Sequence, residues 1–148
     1  MKIDRFNVRV YFLIVEEDQI LLSDEILGGK NSTKFPGGGL EYGEGLIEAA
    51  QREALEELGQ EIEVLEHFYT TDFFIASRFR PTDQIISVYY FAKLRDEVSF
   101  RLARKKYDWQ RHEEREESFR WQAINTLTPD DMTFETDAEV VRRLRDIS

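Results

Sequence analysis

Gly37-Gly38-Gly39-Leu40-Glu41-Tyr42-Gly43-Glu44 runs without a break into Gly45-Leu46-Ile47-Glu48-Ala49-Ala50-Gln51-Arg52-Glu53-Ala54-Leu55-Glu56-Glu57-Leu58-Gly59, and this stretch decides how the chain is read. Leu46 to Leu58 are strong helix formers, and Gly59 stands where a left-handed cap would end the helix. At about 100° per residue, Ile47, Ala50, Ala54 and Leu58 form the expected buried stripe, with Glu53, Glu56 and Glu57 on an adjoining arc. Glu53 neighbours both other acids at helical spacing, and like charges so placed repel by roughly 0.2 to 0.5 kcal/mol per exposed pair. Arg52 offsets part of this repulsion. A hard divalent cation offsets it better, so one helical turn offers a Mg²⁺ site.

Taken alone, a Glu-rich helix reads more simply as a solvated face, and a run of glycines as a tight turn. Their spacing alters both readings. Glycine lets backbone approach a ligand closely, and the free N–H groups at a helix start favour anions. Loop and helix together therefore describe a place for a phosphate and a metal.

Gly38, Glu44, Arg52, Glu53, Glu56, Glu57 and Gly59 match the fixed positions of the Nudix box, G-x5-E-x7-R-E-U-x-E-E-x-G-U with U aliphatic, and the chain resembles the Nudix hydrolase family. Two positions depart from the pattern: Ala54 is small and Gln60 is polar where aliphatics are usual. The resemblance implies an α/β fold, a Nudix-like α/β/α sandwich around a mixed β-sheet, forming a single domain over residues 1–148. It also implies metal-dependent cleavage of a diphosphate linkage in a nucleoside triphosphate or sugar nucleotide. Glu53, Glu56 and Glu57 would hold Mg²⁺ or Mn²⁺, with the Gly37 carbonyl as a further ligand. Gly38 and Gly39 would meet substrate, Arg52 would orient the acids, and Glu44 would support the helix start. The general base would be Glu53 or an acid between Glu113 and Glu117. By helical spacing alone, Glu48 is the favourable partner of Arg52, although the family pattern points to the box acids.

Outward from the box, Asn7 to Val15 and Ile20 to Leu22 flank a polar turn and predict a hairpin. Residues 24–34 have loop composition, with Gly28-Gly29, Asn31, Ser32 and Thr33. Glu61 to Ile75 and Gln84 to Leu94 predict two strands joined at Arg80-Pro81-Thr82-Asp83. Residues 95–117 are dense in both charges and predict a solvated excursion, which could cover substrate or contribute to a homodimer interface. Phe119, Trp121 and Ala123 alternate as a last strand, and Thr136-Asp137-Ala138-Glu139 has the spacing of a capping box opening a C-terminal helix.

A net charge of −10 and a sequence pI near 4.8 argue against generic nucleic-acid binding, and require local cations wherever a phosphorylated substrate docks. Zero cysteines exclude disulfides, thiolate zinc sites and a cysteine nucleophile. With neither a signal-peptide pattern at the N-terminus nor a membrane-spanning apolar run, a cytoplasmic protein is expected. The usual basic residue after the second strand is replaced by Ser23-Asp24-Glu25, which leaves Lys30 or Lys34 for phosphate. Arg78 and Arg80 read as ordinary solvated cations, and His67 and His112 as structural or exposed. Tyr107, Trp109 and Trp121 could stack on a base but read first as core or interface. Two other classes compete with the enzyme: a Nudix-fold binding module without hydrolysis, and an acidic interaction domain.

Overall fold

The computed structural model describes residues 2–109 and 117–147. Strand β1 (Arg5–Glu16) is central, because alternate side chains are buried on both of its faces. It pairs in parallel with β6 (Asp83–Leu94), from Arg5 opposite Asp83 to Ile14 opposite Ala92. Its other edge meets the short glycine strand β4 (Gly37–Gly39) and then, at a hairpin, β2 (Gln19–Leu27). Antiparallel β5 (Ile62–Thr70) extends the sheet beyond β6, while β3 (Lys30–Lys34) and β7 (Glu117–Ala123) flank β2. The result is a mixed seven-stranded sheet.

One helix covers each face. Helix α1 (Leu46–Leu58) sets Ala49, Ala50, Ala54 and Leu58 against Val10, Phe12 and Ile14. Helix α2 (Glu135–Asp146) sets Ala138, Val141 and Leu144 against Tyr11, Leu13 and Tyr89. This is the expected α/β/α sandwich. Among the described residues, no helix is long and apolar enough to cross a membrane.

Several local expectations are corrected. Ile47 is exposed and Ala49 takes its place in the buried stripe, because α1 is turned so that Glu57 and Glu53 lie within the face nearest the sheet. Residues 24–34 form a hairpin, since Gly28 and Gly29 (φ 57° and 76°) supply the two left-handed residues that a two-residue turn requires. Strand β5 ends at Thr70, ahead of an irregular excursion anchored by an Ala76–Gln84 bridge. The capping box at Thr136 does not form. Phe134 is the N-cap without a side-chain bond, and Asp137 instead turns into the core, where it accepts a 2.5 Å hydrogen bond from Tyr89.

Between residues 95 and 109 the charged excursion is irregular, tied down by Ala103 N–H to Phe119 O (2.8 Å) and Tyr107 N–H to Asp24 (3.3 Å). The polar Gln60 has a structural reason: its buried amide donates to the Glu97 carbonyl (2.8 Å) and accepts from Ser99 N–H (2.7 Å), pinning the start of this excursion.

Candidate active site

The site is built where α1 crosses the glycine strand. Gly37 pairs opposite Tyr11 with φ 148°, and a β-carbon there would lie 2.6 Å from the Tyr11 Cα, so only glycine lets β4 close onto β1. One residue on, a β-carbon at Gly38 would meet the Glu53 carboxylate, with Cδ at 2.6 Å and Oε2 at 2.8 Å. Gly37 N–H donates to Glu57 Oε2 at 3.3 Å. The triglycine strand is therefore the surface on which two acids of α1 rest.

Arg52 organises the acids. Its fork is bidentate to Glu44 (Nε to Oε2 3.0 Å, Nη2 to Oε1 2.7 Å), and Nη1 reaches Glu53 and Glu56, each at 3.1 Å. Nη2 also donates to the Gly39 carbonyl at 2.9 Å, fastening helix to strand. Its hydrogen bonds to Glu44 raise the Arg52 guanidinium further above its ordinary value, and the same bonds hold the Glu44 carboxyl low. Glu48 is not its partner: it turns back to accept Gly45 N–H at 3.1 Å and caps the helix.

Glu57 is the unusual acid. Burial pushes its carboxyl up to about 7; Lys34 opposes this, while neighbouring Glu53 adds to it. Lys34 is not a solvated cation. It is buried, lies 3.5 Å from Glu25, and sits over the Tyr11 ring at 5.7 Å. Ser23, Asp24 and Glu25 are buried within β2, and Asp24 is ion-paired with Arg120 at 2.7 Å. The donor chemistry fits a hard divalent cation, since two hard-oxygen acids share a shielded site with few hydrogen-bond donors. Among the described residues no three metal-binding side chains already converge, because Glu56 is exposed and turned to Arg52.

The sequence reading missed a cavity of about 370 Å³ on the α2 face of the sheet. Arg5, Asn7, Arg9 and Tyr11 of β1 line it with Ser87 of β6, residues 75–80 and the start of α2. Its five basic side chains, Arg5, Arg9, Lys34, Arg78 and Arg80, outnumber the acidic Glu25, Asp83 and Glu135, a local reversal in a chain of net charge −10. At the rim, Phe79 and Phe134 meet edge to face at 6.3 Å and Arg78 lies 5.2 Å above Phe134. Neither Tyr107 nor Trp109 lines this cavity; they pack at 6.0 Å from each other, and Trp121 joins the core beneath α1. Among the described residues His67 hydrogen-bonds to Thr70 at 2.8 Å and meets the Tyr90 ring edge to face at 5.7 Å. Of the alternative bases, Glu117 is bonded to Ser23 (3.3 Å), while positions 113–116, like His112, lie outside the described residues.

The arrangement of sheet and helices is shared with known proteins. A family model described as NUDIX domain matches residues 5–144, and the chain belongs to that family. Among curated proteins, none matches the sequence. Solved structures share the fold. A MutT NUDIX hydrolase from Burkholderia pseudomallei is 20% identical with a TM-score of 0.73, over 95% of this chain and 99% of that one. A NUDIX hydrolase from Nitrosomonas europaea is 22% identical with a TM-score of 0.68, over 95% and 88%. An ADP-ribose pyrophosphatase from Streptococcus suis is 16% identical with a TM-score of 0.60, over 96% and 92%.

Proposed function

We propose that the protein hydrolyses a diphosphate linkage in a nucleoside diphosphate-X substrate, such as a nucleoside triphosphate or sugar nucleotide, with Mg²⁺ or Mn²⁺ as cofactor. The observation that carries this is the meeting of Glu53 and Glu57 with the glycine strand, beside a cationic cavity in an otherwise acidic chain. Glu53, Glu56, Glu57 and the Gly37 carbonyl would hold the metal, which when bound stabilises charge on phosphoryl oxygens and lowers the pKa of coordinated water.

The chain's own groups divide the remaining work. Gly38 and Gly39 let the diphosphate approach the backbone closely, and Arg52 keeps Glu53 and Glu56 in fixed orientation from its anchor on Glu44. Water attacks one phosphorus, the new P–O bond forming as the bridging P–O bond breaks. Glu53 accepts the proton, a role for which Glu113 to Glu117 supply the alternatives. Phe79, Phe134 and Arg78 would offer a base flat faces to stack on at the rim.

The test is nucleotide or phosphate release from a panel of dinucleotides, sugar nucleotides and nucleoside triphosphates, with and without Mg²⁺, on wild type and Glu56→Gln. Metal-dependent cleavage lost in the variant is expected. If no substrate is cleaved while one raises the melting temperature, the protein is a binding module instead.

A further inference from the structure

We propose that Arg9 and Ser87 together bind the phosphoryl group lying away from the α1 acids, and so determine how the diphosphate is held across β4. This rests on the diphosphate reading above and adds two residues to it.

Arg9 stands between the two halves of the site. On one edge of β1 it pairs opposite Gly39, and on the other opposite Ser87. Successive residues of a strand face opposite ways, and with glycines there is no side chain between the two faces. Gly38 touches Glu53, whereas the space a β-carbon would fill at Gly39 lies 3.7 Å from Arg9 Nη1. Acid and cation thus meet the same strand one residue apart. That is the separation of charge a diphosphate needs, with one phosphoryl group at the acids and their metal and the next at the guanidinium.

The other cations of the cavity are committed. Arg5 and Arg80 lie 2.6 Å and 3.4 Å from Asp83, and Lys34 is paired with Glu25. Arg78 donates to the Thr133 carbonyl at 2.9 Å. Arg9 donates through Nε to the Tyr11 hydroxyl at 2.7 Å, which fixes its fork; the Glu53 and Asp137 charges act on it, but among the described residues no carboxylate lies within ion-pair distance. A half-buried guanidinium with terminal N–H groups to spare favours an anionic ligand.

Ser87 is the independent second observation. It is 1% exposed, lines the same cavity, and among the described residues its Oγ has no hydrogen-bond partner. Its N–H and C=O are both engaged by Thr71 (3.0 Å each), so the side-chain hydroxyl is the one polar group of Ser87 left for a ligand.

The test is calorimetric titration of methylenediphosphonate, a diphosphate mimic that resists hydrolysis, in excess Mg²⁺. The proteins are wild type, Arg9→Gln, Arg9→Lys, Ser87→Ala and, as a charge-matched control, Arg104→Gln at an exposed site. Binding about tenfold or more weaker in Arg9→Gln, partly restored in Arg9→Lys, a few-fold weaker in Ser87→Ala and unchanged in Arg104→Gln is expected. If Arg9→Gln does not fold, Arg9→Lys and Ser87→Ala carry the test. Unaltered affinity in the Arg9 and Ser87 variants, or no binding by wild type, overturns the proposal. Arg9-dependent binding without hydrolysis of any panel substrate would remove the enzymatic reading and leave this one standing. Hydrolysis with Arg9-independent binding would do the reverse.

Discussion

Helices α1 and α2 cover opposite faces of one sheet, and each carries a buried carboxyl titrating far above its ordinary range: Glu57 at about 7 and Asp137 at about 6, both through burial. Their surroundings differ. Asp137 receives the Tyr89 hydroxyl at 2.5 Å and a Phe35 N–H, and is closed in on every side. Glu57 receives one long N–H bond from Gly37 and has Glu53 as a neighbour that makes its charge harder to bear. Burial alone therefore does not mark a functional acid. A buried acid supplied with donors is structural, whereas one left short of donors beside a second acid is poised for a cation. Lys34 acts on both, its charge lowering each carboxyl.

The largest expected effect separates the two helices. Glu53→Gln should lower kcat by about 10²–10⁴-fold, the range for a lost acid–base group, while Asp137→Asn should leave kcat within about threefold; steady-state release assays on both decide.

The next concerns pH. The Glu57 carboxyl is raised from an ordinary 4.5 to about 7, so the folded state holds its proton more tightly than the unfolded chain. The resulting stability is present below pH 4.5 and is lost as pH rises through 7 in the metal-free protein. Glu57→Gln escapes that loss. Its advantage over wild type in denaturant melts should grow by about 3 kcal/mol between pH 4.5 and 8, at the cost of activity. A difference that does not change with pH would mean that burial does not hold the Glu57 carboxyl above its ordinary range.

Arg52→Lys should lower kcat about 10- to 100-fold with little change in melting temperature, because an ammonium cannot hold Glu44, Glu53 and Glu56 at once as the fork does. Smallest is Asp137→Ala, which orphans the buried Tyr89 hydroxyl and should cost about 1–3 kcal/mol in chemical unfolding without altering metal affinity.

Helix α1 and the sandwich were legible because one contiguous stretch marks both, whereas Gly37 to Gly39, expected as a loop, pair with β1 as a short strand because residues without side chains can close onto Val10 and Tyr11. Ile47 was misplaced because a hydrophobic pattern centres a helix on its apolar residues, whereas α1 turns Glu53 and Glu57, both half-buried, toward the glycine strand. The cavity was not legible because its walls come from β1, residues 75–80 and α2, which are distant in sequence. A signal was present: Arg5, Asn7, Arg9 and Tyr11 alternate with Phe6, Val8, Val10 and Phe12, so one face of a central strand had to be polar. In an interior strand such a face implies a lined cavity rather than solvent. Hairpin β2–β3 was hidden because Gly28-Gly29 marks a turn equally well within a long loop.

The most direct measurement is Mn²⁺ binding by calorimetry at pH 8 on wild type, Glu57→Gln and Asp137→Asn. The account predicts binding by wild type and Asp137→Asn, and affinity at least about tenfold weaker in Glu57→Gln. Equal affinity in wild type and Glu57→Gln would contradict it, because the acid left short of donors would then not be the one that holds the metal.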